Sequence, residues 1–250
     1  MHRASRLLLI GSFPLLAAVG GTPPVRRAPG EDILARARAT YAALKSYADT
    51  GQVEVVYGQA KDPSHDRHTF RTLYRAPRLF YFEFIKQHDA DRLVVWSDLE
   101  AFHSWWRTTG TSTSYPKGQG SLAFILAESP TSHSVTQIAP LLFPGAGLTG
   151  TLTEFGDATD AGLDTLAGHP CHKLVGVAQS MYGKTGRVFN RRQTTVWVDA
   201  ESYLVRKVFE DSAEGTAGTL VSQVTTTFSP HANPPLDDDR FRFRPPSGGL

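Results

Sequence analysis

The chain has a single cysteine, Cys171, so no internal disulfide can form and its stability must come from a packed core. It also has little charge imbalance. Twenty-six Lys and Arg against 24 Asp and Glu leave a net charge of +2, and the basic residues are scattered, which argues against a nucleic-acid surface. Beyond residue 22 no apolar run approaches the roughly 20 residues that a membrane-spanning helix needs. A Gly-x-Ser-x-Gly nucleophile elbow is missing, and no internal repeat is evident. What is present, 250 residues with 40% hydrophobic and 20% charged, is a globular composition sized for one large domain or two small ones.

Residues 1–21 read as a secretory signal peptide. Arg3 and Arg6 precede the apolar run Leu7–Gly21, which is short, broken by Pro14, and ends in the small residues Ala18, Val19 and Gly20. No cysteine follows the run, so a lipid-modified N-terminus is not expected. Residues 22–30, rich in Pro, Gly and Arg, read as a disordered leader, and 31–250 as one domain with a periplasmic location.

Ile33, Leu34, Ala37, Tyr41 and Leu44 recur at helical spacing behind Glu31 and Asp32, predicting a helix over 31–47. Five alternating runs follow and predict an antiparallel meander: 51–59, 68–75, 78–86, 92–97 and 100–107. Residues 121–128 and 132–143 read as helical pieces broken at Ser129-Pro130. Strand signals return at 159–166, 169–178, 192–199, 203–210, 220–228 and 240–244, with Met181–Asn190 as a long hairpin loop and Lys61–Arg67 as a polar hairpin tip. The expected class is α+β: a single curved antiparallel sheet wrapped around a few helices.

The segment Leu79–Lys86 is apolar on both faces. Side chains alternate along a strand, so Phe80, Phe82 and Phe84 point one way and Leu79, Tyr81 and Ile85 the other. In an antiparallel sheet one face normally meets water, so such a strand implies packing on both sides or an aromatic-lined cavity. The expected wall or rim of that cavity is Phe80, Tyr81, Phe82, Phe84, Trp96, Phe102, Trp105 and Trp106, with Arg75 beside it. The alternative is that these rings only fill the core.

Several segments resemble the LolA/LolB-like superfamily of periplasmic lipoprotein carriers, over about residues 31–248. They are the aromatic strand after Pro77, the Trp-centred strand Leu93–Trp96, Gly168–Leu174, the hairpin Thr195–Lys207, and the ending Phe241-Arg-Phe-Arg-Pro-Pro-Ser-Gly248. The resemblance implies an incomplete barrel closed by helices, with a hydrophobic cavity for acyl chains. In one respect the chain departs from the carriers, which place Arg directly before the Pro of the aromatic strand. Here Ala76 holds that position and Arg75 lies one residue earlier, and a one-residue shift reverses the face of a strand residue.

His65 and His68 are three apart, a spacing open to metal binding if a third ligand arrived, but they fall in the polar tip, and no metal or cofactor is expected. His169 and Cys171 share a strand face while His172 takes the other, so the three do not converge. Glu83 in its aromatic strand suits acid–base work, or pairing with Arg75 or Arg92. The expected function is a monomeric, non-enzymatic carrier or chaperone for a lipid or lipoprotein acyl chains, with transient membrane or membrane-protein contact and no nucleic-acid partner. A lipid-sensing or protein-interaction module is the alternative, and a hydrolytic or metal-dependent enzyme comes third.

Overall fold

The computed structural model describes residues 29–98, 100–116, 141–142, 152, 155–182, 187–211 and 220–246. The signal-peptide segment, the two helical pieces at 121–128 and 132–143 except Leu141 and Leu142, and most of the leader therefore lie outside the described residues.

Helix α1 (Pro29–Ala42) opens on a proline and carries Glu31 and Asp32 in its first turn, where the unpaired N–H groups favour both. It buries Gly30, Ile33, Leu34, Ala37 and Tyr41, one face of a 3.6-residue repeat. The helix ends five residues before the expected 47. The amides of Lys45 and Ser46 donate to Asn233 Oδ1, at 2.8 and 3.3 Å, and Ser46 already pairs with Arg75, so these backbone groups belong to the sheet.

Twelve strands are found among the described residues: β1 (Ser46–Gln59), β2 (Asp62–Arg75), β3 (Leu79–Lys86), β4 (Arg92–Ser97), β5 (Ala101–Trp106), β6 (Thr111–Pro116), β7 (Phe155–Leu166), β8 (His169–Tyr182), β9 (Arg187–Asp199), β10 (Val205–Asp211), β11 (Leu220–Phe228) and the short β12 (His231–Ala232). They form one antiparallel sheet in the order β6-β5-β4-β3-β2-β1-β11-β10-β9-β8-β7, with β12 beside β1. Two meanders thus meet at the β1–β11 pairing, and the sheet is open rather than closed into a barrel. A sheet this wide curls because each strand twists relative to its neighbour.

Three expectations change. The tip between β1 and β2 is only Ala60 and Lys61, since pairing runs unbroken from Ser46↔Arg75 to Gln59↔Asp62. Asp62–Arg67 is strand despite its polarity, because backbone pairing extends past the end of the apolar alternation. Met181–Tyr182 and Arg187–Asn190 are strand ends of β8 and β9 rather than loop. Residues 240–244 are not a strand: a 3-10 turn, Asp238–Phe241, takes the backbone of Arg240 back to Asp237 O and buries Phe241 against the sheet.

Two glycines are set by close approach. A Cβ on Gly30 would lie 2.3 Å from Ala158 O, and Glu31 Oε1 accepts the Ala158 N–H at 2.9 Å, so the first turn of α1 is pressed onto β7. At the seam between meanders, a Cβ on Gly51 would lie 2.1 Å from Thr227 O and 2.2 Å from the Phe70 ring. Neither backbone nor a buried ring yields cheaply. Gly51→Ala is therefore expected to cost about 1–3 kcal/mol by overpacking, read as a fall in the urea midpoint. An unchanged midpoint would mean that the seam is looser than described.

Candidate functional site

The doubly apolar strand β3 is packed on both sides. On the inner face, the one α1 covers, Phe80, Phe82, Phe84 and Phe102 are buried in a cluster with Phe70, Leu93, Val95 and Phe228, and half-buried Trp106 packs against it. Phe70 links the rings across strands, 6.3 Å from Phe82 and 5.5 Å from Phe228. The same cluster continues through Val208, Val196 and Leu174 to Ile33, Leu34 and Tyr41 of α1. Helix α1 rests on β7, at the far edge of the sheet from the aromatic strands β3 to β5.

On the outer face Tyr81 and Trp105 are buried with Leu73 and Val94 beneath the C-terminal segment, which brings Leu236, Phe241 and Phe243 across them. Phe243 packs 5.1 Å from the Trp96 ring and 5.3 Å from Trp105. Arg75 fixes this strap. Its guanidinium donates to Leu236 O at 2.6 Å, pairs with Asp238, and lies 5.7 Å over the Phe241 ring. Of the nine residues expected to line one cavity, five (Phe80, Phe82, Phe84, Phe102, Trp106) gather on the inner face. Tyr81, Trp96, Trp105 and Arg75 serve the outer face, under the strap. The Phe-x-Phe ending resolved this division, but sequence could not say which face it would cover.

Several polar groups around these walls are paired. Glu83 meets Arg92 at 2.6 Å and accepts from the Tyr81 hydroxyl at 3.2 Å, so it follows the ion-pair expectation. Trp106 Nε1–H donates to Asp91 Oδ2 at 2.7 Å. His65 is exposed while His68 is buried against the Phe84 ring, 5.1 Å away, and burial lowers the His68 pKa. Three residues apart on a strand, these histidines face opposite ways. Cys171 is buried, its thiol donates weakly to His169 O at 3.5 Å, and burial raises its pKa, which leaves it a poor nucleophile. His172 stands 3.8 Å from Asp160.

Sequence reasoning missed three arrangements. The first is Asp49, 3% exposed on the inner face, which accepts from Tyr47 Oη–H at 2.8 Å and from the Thr72 N–H at 3.1 Å. Burial outweighs these bonds and pushes its pKa up to about 7. Tyr41, 5.8 Å from Tyr47 ring to ring, uses its hydroxyl to accept the Val205 N–H and so ties α1 to β10. The misread helix end hid this cluster. The second is the buried pair Arg192–Glu210, at 2.8 Å, on β9 and β10. The third is a double cation stack on the outer face, with Lys173 Nζ 5.6 Å and Lys207 Nζ 4.6 Å from the Trp197 ring, whose Nε1–H donates to Asp164 at 2.9 Å. Nearby, Asp199 shapes the β9–β10 turn. Burial alone would raise its pKa, but the Ser202 N–H and the Arg206 guanidinium, 2.5 Å away, bring it down to about 2.

No protein-family profile matches the chain, and no curated protein matches its sequence. Solved structures do resemble it. The lipoprotein LppX of Mycobacterium tuberculosis is 14% identical, with 83% of this chain and 97% of that one covered and a TM-score of 0.46. In the complex of MucA and MucB from Pseudomonas aeruginosa, the matched chain is 17% identical, with 87% and 62% covered and a TM-score of 0.42. This chain therefore spans under two thirds of that protein. A LolA superfamily protein from Nitrosomonas europaea is 9% identical, with 86% and 97% covered and a TM-score of 0.35.

Proposed function

We propose that this protein is an extracytoplasmic, non-enzymatic carrier or chaperone that holds a lipid, or the acyl part of a lipoprotein, against the inner aromatic face. The observation that carries this reading is the continuous band of buried rings from Phe102 through Phe80, Phe82, Phe84 and Phe70 to Phe228, on the inner face of an open sheet whose described helix packs on the opposite edge. The N-terminal apolar run supports export, and the buried Cys171, needing no oxidised partner, is compatible with it. The non-enzymatic reading is supported by the placement of the perturbed acids in structural roles, Asp49 within a hydroxyl cluster and Asp199 at a turn.

An apolar wall reads chain length rather than headgroup. Each methylene buried contributes about 0.8 kcal/mol, roughly a fourfold gain in affinity, against an association cost of about 4–15 kcal/mol. Displacement of a fluorescent acyl probe by saturated fatty acids of eight to sixteen carbons is expected to show dissociation constants falling roughly fourfold per methylene until the wall is filled. Absence of saturable binding across the series, or affinity independent of length, would exclude this role for the inner face. The strapped outer face favours a second reading, a lipid-responsive interaction module, in which ligand would change affinity for a protein partner.

A further inference from the structure

The strand register lines up one row of side chains across the outer face. Lys173 pairs with Trp197, Trp197 with Lys207, Lys207 with Thr227, Thr227 with Gln52, Gln52 with Thr69 and Thr69 with Ile85. All lie on the side opposite the inner cluster, because their strand neighbours Leu174, Val196, Val208, Phe228, Val53, Phe70 and Phe84 are in it. Two cavities lie along this row. One, of about 630 Å³, is bordered by Lys207, Arg206, His169 and His231. The other, of about 540 Å³, is bordered by Arg71, Glu83, Gln52 and Thr69. Thr227 and Ser229 line both, so the two form one trough. From β3 to β10 it crosses four strand spacings, about 19 Å.

The charges along the trough are unequal in their pairing. The nearby acids are paired: Glu83 meets Arg92 at 2.6 Å, and Asp199, beneath Arg206, meets it at 2.5 Å and also lies 3.5 Å from His169 Nδ1. Arg71 and Lys207, one in each half, make no salt bridge among the described residues. Both are held in place by aromatic rings, Arg71 5.2 Å from the Tyr81 centroid and Lys207 4.6 Å from that of Trp197. The Arg71 Nε is buried without a hydrogen-bond partner. Asp164 offsets part of the Lys173 and Lys207 charge through its bond to Trp197. Between the two cations lie hydroxyls and an amide, which suit a polar, uncharged body.

We propose that this trough is a binding site for a phosphorylated polyol, with the phosphate beside Lys207, His169 and His231 and the hydroxylated body along Thr227, Ser229 and Gln52 toward Arg71. A tetrahedral oxyanion uses the divergent ammonium, imidazole and hydroxyl donors of the Lys207 end more fully than a planar carboxylate does. The volume is in the range of small-molecule sites and exceeds a bare phosphate, so the anion is attached to something larger. This site lies on the opposite face from the acyl wall and does not rest on the carrier reading.

The test is an amide NMR titration of the full mature chain with glycerol 1-phosphate and glucose 1-phosphate, alongside co-sedimentation with phosphatidylcholine vesicles with and without phosphatidylglycerol. Saturable shifts at Lys207, Thr227, Ser229 and His231 with the soluble esters would identify a soluble ligand. Binding confined to phosphatidylglycerol vesicles would identify a lipid headgroup. In either case Lys207→Gln and Arg71→Gln are each expected to weaken binding about tenfold, while Lys61→Gln, at the distant β1–β2 tip, leaves it unchanged. An unaltered circular dichroism spectrum and melting curve show that these variants are folded, and retained fatty-acid binding separates this site from the inner one. No saturable response to any of these probes, or binding equally strong in Lys207→Gln, would overturn the proposal.

Discussion

Replacing Asp49 with Asn is expected to remove a loss of stability that the native protein undergoes between pH 4 and pH 8. The folded state holds this carboxyl at about 7, against the ordinary value of 3.8. A raised pKa means that the folded chain favours the protonated form, so the contribution is full below pH 4 and disappears as pH rises through 7. The gap corresponds to about 4 kcal/mol, a large share of the 5–15 kcal/mol typical of a domain. Other groups act in the opposite sense, His68 and Asp199 among them. His68, whose pKa is lowered by burial, adds stability as pH rises through the ordinary histidine range, and Asp199, held near 2, loses its contribution only in strong acid. The difference between native and variant curves isolates Asp49, because all the other groups are common to both. Asn can still accept the Thr72 N–H, and the Tyr47 hydroxyl can turn to accept from the amide. Urea unfolding at half-unit steps should therefore show the variant gaining on the native chain by about 4 kcal/mol from pH 4 to pH 8. Parallel curves would show that Asp49 is solvated.

Removing the strap's anchor is expected to have a comparable effect. Phe241, 2% exposed, fills the outer cluster between Leu73, Tyr81 and Trp105, so Phe241→Ala should cost about 3–5 kcal/mol. Phe243 is only partly buried and should cost less on truncation. Arg75→Ala removes the bond to Leu236 O and the pair with Asp238, worth together about 1–3 kcal/mol. Ending the chain at Pro235 would bare Tyr81, Trp96 and Trp105 together. The expected signs are red-shifted tryptophan emission, binding of an apolar dye and self-association. A Phe241→Ala variant within 1 kcal/mol of the native chain would mean that the segment is loosely docked, and would make the outer aromatic cluster available to a partner.

These two predictions also mark where sequence was and was not readable. Apolar strands such as Arg92–Ser97 are legible to the residue because both of their faces are largely buried. The opposed faces of Phe80, Phe82, Phe84 and of Leu79, Tyr81 followed from strand geometry alone. Polar strands such as Thr111–Pro116 and the outer half of Asp62–Arg75 gave no such signal, since backbone pairing holds them and side chains on both faces meet water. The expected helix runs too far because Leu44 continues its spacing, while the competing bond from Asn233 comes from 188 residues away. Long-range partners hid the rest: Arg75 was read beside a cavity and instead holds the strap, and the Lys173–Trp197–Lys207 stack exists only once three strands are in register.

Native mass spectrometry of the mature protein, purified from the extracytoplasmic fraction and followed by lipid extraction, decides whether the inner aromatic face is a wall for one acyl chain. One acyl-bearing lipid or lipopeptide per chain, exchangeable for an added long-chain fatty acid, is the expected result. A mass equal to that of the polypeptide alone, unchanged after incubation with lipids, would contradict it and leave Phe80, Phe82 and Phe84 as core.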